Sequence, residues 1–257
     1  MNGPENAIGW CDYTWNPITG CKHGCRFGPA DTPCYAEVIA ERFRGGKAFP
    51  NGFEPTFHPE RLPQPQRVKA PARIFTCSMS DLFGAWVPAE WIEATLASIA
   101  DNPQHTFQLL TKAPWIAKNH RVPSNVWMGA TVTGGLQRET HRLDCVREYP
   151  SRVRFLSCEP LEGPIDVSRA EPDWLIIGAA TGKGGYQPDE AWVASLEDYA
   201  DSRGIPVYHK DNLTIRRHAR RTEFPDGHAV TSRPIWAAHP APDRCHARVP
   251  MSSSAGE

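Results

Sequence analysis

Beyond residue 70 the chain alternates short, nearly continuous apolar runs with stretches whose apolar positions recur every three or four residues. The runs are Arg73–Thr76, Thr106–Leu110, Val126–Ala130, Val153–Leu156, Trp174–Ile177 and Pro206–Tyr208. Runs of this kind read as strands covered on both faces. The helical pattern is clearest in Pro88–Ala100, where Trp91, Ile92, Leu96 and Ile99 share one face and Pro88 suits a first turn. Leu136–Glu148 and Glu190–Asp201 read the same way. Alternation at roughly 25-residue spacing predicts βα units and a parallel sheet. The expected fold class is therefore α/β, a partial TIM-like barrel of the (β/α)6 type with outer helices. A doubly wound open sheet is the rival, but no Gly-x-Gly-x-x-Gly turn follows an early strand. From about Arg216 the pattern gives way to RRHARR and a Pro/His/Ser-rich stretch. This predicts a barrel domain over residues 1–212 and a partly disordered extension over residues 213–257.

Composition narrows the function classes. A formal net charge of −1 over 257 residues gives no support for a polybasic coat or membrane binder. No apolar run approaches the ~20 residues that span a bilayer. The N-terminal MNGPENAIGW lacks the regions of a signal peptide, so a cytoplasmic location is the expectation. In a reducing compartment, eight cysteines point to metal ligands, catalytic groups or buried thiols rather than disulfides.

Three of those cysteines are close together. Cys21, Cys25 and Cys34 follow a C-x3-C-x8-C spacing, with Gly20, Gly24, Gly28, Pro29 and Pro33 around them. Thiolates suit soft metals and iron–sulfur clusters. The helical pattern YAEVIAERFRG begins directly after Cys34, near whose N-terminus partial positive charge favours thiolate. A four-iron cluster held by three cysteines keeps one iron open. A zinc ion taking the same cysteines plus His23, and three unrelated buried thiols, remain alternatives on spacing alone.

In α/β barrels, chemistry gathers after the C-terminal ends of the strands. Those positions hold Ser78, Ser80 and Asp81; Thr111 and Lys112; Thr131 and Thr133; Ser157, Cys158 and Glu159; Thr181, Gly182 and Lys183; and His209, Lys210 and Asp211. Their recurrence at six successive strand ends is the signal. Lys112 and Lys210 can neutralise a carboxylate or phosphate. Glu159 is a candidate substrate ligand or proton donor, and Cys158 a candidate hydrogen-atom donor. Trp10, Tyr13 and Trp15 read as core, with a stacking wall for a base as the alternative. Cys11, Cys77 and Cys145 read as packing residues, and Cys245 has no evident role. The RRHARR arginines read as a solvated helix face or as phosphate contacts.

The segments WCDYTWNPITGCKHGC, CYAE, CSMSDLFGAWVP, HTFQLLTKAP, NVWMGATV, RFLSCEPLEGPID, DWLIIGAATG and GIPVYHKDN occur here in order over roughly residues 8–212. In them the chain resembles a largely phage-associated family known by its three-cysteine motif. That family is distantly similar to radical S-adenosylmethionine (SAM) enzymes such as spore photoproduct lyase. The resemblance implies a 4Fe-4S cluster on Cys21, Cys25 and Cys34, and SAM held by Ser78, Ser80, Asp81 and Thr181, with Tyr35 against the adenine. Thr131 and Lys210 join that cofactor set, with Cys158 and Glu159 as the catalytic pair. It further implies a 5′-deoxyadenosyl radical, a nucleobase or nucleic-acid substrate, and an electron donor such as flavodoxin or ferredoxin. A non-catalytic cluster- or zinc-binding adaptor is the alternative. Two departures stand out. Gly-Pro-Ala-Asp-Thr-Pro is inserted before Cys34, where relatives have C-x2-C, so the ligand loop is expected to bulge. Ala180 stands where relatives carry an acidic residue.

Overall fold

The computed structural model describes residues 1–3, 8–134, 137–181, 184–215 and 219–225. Seven strands form one sheet: β1 Tyr13–Trp15, β2 Arg73–Thr76, β3 Thr106–Thr111, β4 Val126–Thr131, β5 Arg154–Cys158, β6 Trp174–Ile177 and β7 Val207–His209. Neighbours in sequence are neighbours in the sheet, and every pair is parallel. Helices α1 Tyr35–Arg42, α2 Ala89–Ala100, α3 Pro114–Ala117, α4 Gln137–Arg147 and α5 Glu190–Arg203 fill the connections. This is the expected partial barrel, with β1 and β7 at its two edges. Six of the seven strands fall where the apolar runs placed them; β1 adds the seventh. No described helix is long and apolar enough to cross a membrane.

Alternation along each strand sorts side chains into two layers. Phe107 and Leu109 point outward, where they pack with Ile92, Leu96 and Ile99 of α2. Leu110 faces inward and joins an aromatic plug made of Trp10, Phe75, Trp127, Phe155, Trp174 and Tyr208. Gly129 makes room for that plug, since a Cβ there would lie 2.5 Å from the Phe155 ring. Trp174 is its hub. Its ring lies within 5.6 Å of Phe155 and Phe224 and 5.9 Å of Trp127, and its Nε1 donates to the Glu223 carbonyl at 2.9 Å. Trp174→Ala is expected to cost about 3–5 kcal/mol, read as a lowered urea midpoint at unchanged slope.

The described part of the C-terminal stretch lies on the barrel. Leu213 is buried, and Arg221–Glu223 runs antiparallel beside β7: the His209 amide donates to the Arg221 carbonyl at 2.8 Å, and the Glu223 amide to the Val207 carbonyl at 3.0 Å. This segment covers an edge that would otherwise present unpaired backbone groups. Arg216, Arg217 and Cys245 lie outside the described residues. Arg221 pairs with Asp201 and Glu223, and Arg220 with Asp211, so these two arginines of RRHARR are engaged by carboxylates rather than set on a helix face.

Candidate active site

The cysteine loop leaves β1 and returns over the C-terminal ends of the strands. At Gly20 (φ +85°) the backbone passes so close to the Glu54 carbonyl that a Cβ would lie 2.3 Å from it. This contact, with the Gly20 amide bonded to the Met79 carbonyl and the Cys21 amide to that of Phe53, sets Cys21 beside the loop after β2. The inserted residues project as a short hairpin. Arg26–Phe27 pairs antiparallel with Thr32–Pro33, closed by a turn in which the Asp31 amide donates to the Gly28 carbonyl at 3.1 Å. In the next register position Cys25 and Cys34 flank the base of this hairpin, where directly opposed Cα atoms lie about 5 Å apart. Folding the insertion into a hairpin thus recovers the proximity that a short spacing gives by sequence alone.

The hairpin tip is docked across the barrel mouth. The Gly28 amide donates to Glu162 Oε1 at 2.7 Å, and the Tyr186 hydroxyl bonds to the same carboxylate. Gly28 (φ +65°) lies against the Tyr186 ring, which a Cβ would approach to 2.2 Å. Cys34 caps the N-terminus of α1. Burial raises its thiol pKa, while the α1 amides of Ala36 and Glu37 pull it back. Burial pushes the Cys21 thiol up to about 12. All three thiols are free and half-buried. Among the described residues no three His, Cys, Asp or Glu side chains are placed to share one metal ion. His23, the fourth ligand of the zinc alternative, gives its Nε2 to Asp81 at 2.8 Å.

These thiols form one wall of a cavity of about 450 Å³ above the aromatic plug. Trp10, Phe75 and Leu110 line it from below. Tyr35, Ser78, Ser80, Asp81, Thr131, Glu159, Thr181 and Lys210 line it too, as do Thr111, Lys112 and Ser157, so one cavity gathers nearly the whole predicted set. Several of these side chains are already engaged. The Tyr35 hydroxyl donates to the Ser78 carbonyl at 2.6 Å, Ser78 Oγ bonds to Asn16, and Ser80 Oγ donates to the Ile18 carbonyl. Lys210 pairs with Glu159 at 2.5 Å. Gly182 and Lys183 lie outside the described residues.

Cys158 is a correction. It is fully buried and packs with Leu143, Val146 and Leu175 in the layer between sheet and helices, so it does not face the cavity. Strand alternation is the reason: β5 runs on to Cys158, turning Ser157 and Glu159 inward and Cys158 outward. His209 is outward for the same reason, its Nε2 lying 3.1 Å from the buried Glu197 carboxylate. Thr133 donates to Glu139 and Asp211 pairs with Arg220; neither lines the cavity. Cys77, directly after β2, also borders the cavity, but it is 2% exposed and packs with Trp15 and Phe83, as its reading from sequence as a packing residue has it.

A buried polar network braces the rim. Arg142 donates to the carbonyls of Lys112 and Thr131 and pairs with Glu139, both side chains about 5% exposed. Glu139 also accepts from the amides of Thr133 and Gly134.

A family model for a protein of unknown function, DUF5131, matches residues 5–240. The chain belongs to that family. No curated protein matches this DUF5131 member. Among solved structures, a cysteine-to-serine mutant of spore photoproduct lyase matches with a TM-score of 0.50 and 13% identity, over 78% of this chain and 76% of that one. A double mutant of the same lyase with bound AdoMet and dinucleoside spore photoproduct matches at 0.47 and 12%, over 78% and 76%. At such identity the likeness is one of fold: this chain shares the half-barrel fold of that lyase.

Proposed function

We propose that this DUF5131 protein is a radical SAM enzyme acting on a nucleobase or a nucleic-acid-related substrate. The observation that carries the reading is the convergence of three free thiols on one wall of a cavity at the strand C-termini. Cys21, Cys25 and Cys34 would hold a 4Fe-4S cluster, three thiolates leaving it a site for SAM. His23, bonded to Asp81, speaks against the zinc alternative. When bound, cluster and SAM supply a 5′-deoxyadenosyl radical; the protein supplies binding, orientation and exclusion of water.

Tyr35, at the N-terminus of α1 and beside the cluster wall, is the candidate surface for the adenine. Thr131, Ser157 and Thr181 present hydroxyls with no hydrogen-bond partner among the described residues, suited to ribose or amino-acid groups. Lys112 presents an ammonium without an ion pair among the described residues, suited to a carboxylate. A flat ring fits over Trp10 and Phe75, with Glu159 and Lys210 offering an acceptor and a donor at its edge.

The adaptor reading draws on Ala180, which lines the cavity and offers no polar group. Thr181 beside it supplies a hydroxyl at the same rim. Incubating the reconstituted, reduced protein with SAM and assaying 5′-deoxyadenosine separates the two. Its formation is the expected result. A full cluster with no 5′-deoxyadenosine from dithionite, flavodoxin or ferredoxin would leave the adaptor.

A further inference from the structure

Asp81 is 5% exposed, yet its carboxylate accepts four hydrogen bonds from three segments of the chain. Thr111 Oγ1, at the last residue of β3, donates at 2.7 Å and the Lys112 amide just after it at 2.8 Å; the Phe83 amide donates at 3.1 Å from its own loop. The fourth donor is His23 Nε2 at 2.8 Å, from midway between Cys21 and Cys25. The His23 ring is fixed from a second side by Trp86, 4.8 Å away and edge-on at 83°. A carboxylate with four donors already in place has little capacity left for a ligand, although it lines the cavity.

We infer that Asp81 is a positioning residue. It holds the Cys21–Cys25 loop, through His23, at a fixed height over the strand ends, and ties that loop to the backbone of Lys112. Because Lys112 lines the same cavity and lies near Cys21 and Cys34, one buried carboxylate sets both the cysteine wall and the ammonium facing it. The third cysteine is outside this brace. Cys34 is held at the N-terminus of α1, which His23 does not touch, so loosening His23 acts on two thiols and spares the third.

The inference uses the proposed cluster site but is tested without iron. In the apo full-length protein, alkylation of each cysteine by iodoacetamide is followed by peptide mass spectrometry. His23→Ala is expected to speed modification of Cys21 and Cys25 about tenfold, as loss of a hydrogen bond to a buried charge implies. Cys34 is expected to change less than about twofold, and His23→Gln, which keeps a donor, to restore most of the protection. Unchanged rates at Cys21 and Cys25, or an equal rise at all three cysteines, would overturn the inference. In reconstituted protein the same His23→Ala change is expected to broaden the cluster's electron paramagnetic resonance spectrum and shift its midpoint potential, with His23→Gln close to wild type. An unchanged spectrum and potential would again count against it. A wild-type protein that takes up no cluster would defeat the radical reading and leave the thiol result standing.

Discussion

Cys25→Ser is expected to lower the iron and sulfide retained after anaerobic reconstitution by at least about tenfold, because a hard hydroxyl replaces the thiolate that soft iron–sulfur sites prefer. Cys25 is the decisive position of the three. It directly precedes one strand of the hairpin, whose other strand runs into Cys34, and it lies four residues from Cys21, so its loss leaves two ligands on either side of a gap. Cys158→Ala is the matched control. It removes a thiol from the aliphatic layer behind β5 and should cost about 1 kcal/mol of stability while keeping the full iron content. Equal iron loss in both variants would mean that the cysteine wall is not the ligand set.

Arg142→Ala is expected to destabilise the protein by about 3–5 kcal/mol, measured as a shift in the urea midpoint. The size follows from what is left behind. Glu139 becomes a buried carboxylate without its cation, and the carbonyls of Lys112 and Thr131 lose their donor. Arg142→Lys should recover less than half, because a point ammonium cannot serve three acceptors spread along a guanidinium's fork. A loss below about 1 kcal/mol for Arg142→Ala would be the value of a solvent-screened surface pair, contrary to the burial seen here.

The sheet was legible because its strands are buried on both faces and therefore read as unbroken apolar runs. The first strand, Tyr13–Trp15, escaped because three residues around a threonine carry no such run. Four of the six predicted strands shifted at an end by one or two residues, and that small error had a large effect on the site. Ending the fifth strand at Leu156 left Cys158 free to face the cavity; extending it to Cys158 fixes the alternation and turns the thiol away. The cysteine spacing suggested a chemistry but carried no geometry. Eight intervening residues look like a loop until Arg26 pairs with Pro33 and Phe27 with Thr32. The braces were hidden for another reason. His23 and Asp81 are 58 residues apart, and Gly28 and Glu162 are 134 apart, contacts that no local pattern announces.

The central claim, an open-iron cluster on three cysteines, is tested most directly by electron paramagnetic resonance of the reconstituted, reduced protein with and without SAM. The expected result is a four-iron signal that changes when SAM is added and vanishes when Cys21, Cys25 and Cys34 are replaced together by alanine. A colourless protein carrying zinc on those cysteines, or a cluster signal indifferent to SAM, would contradict it.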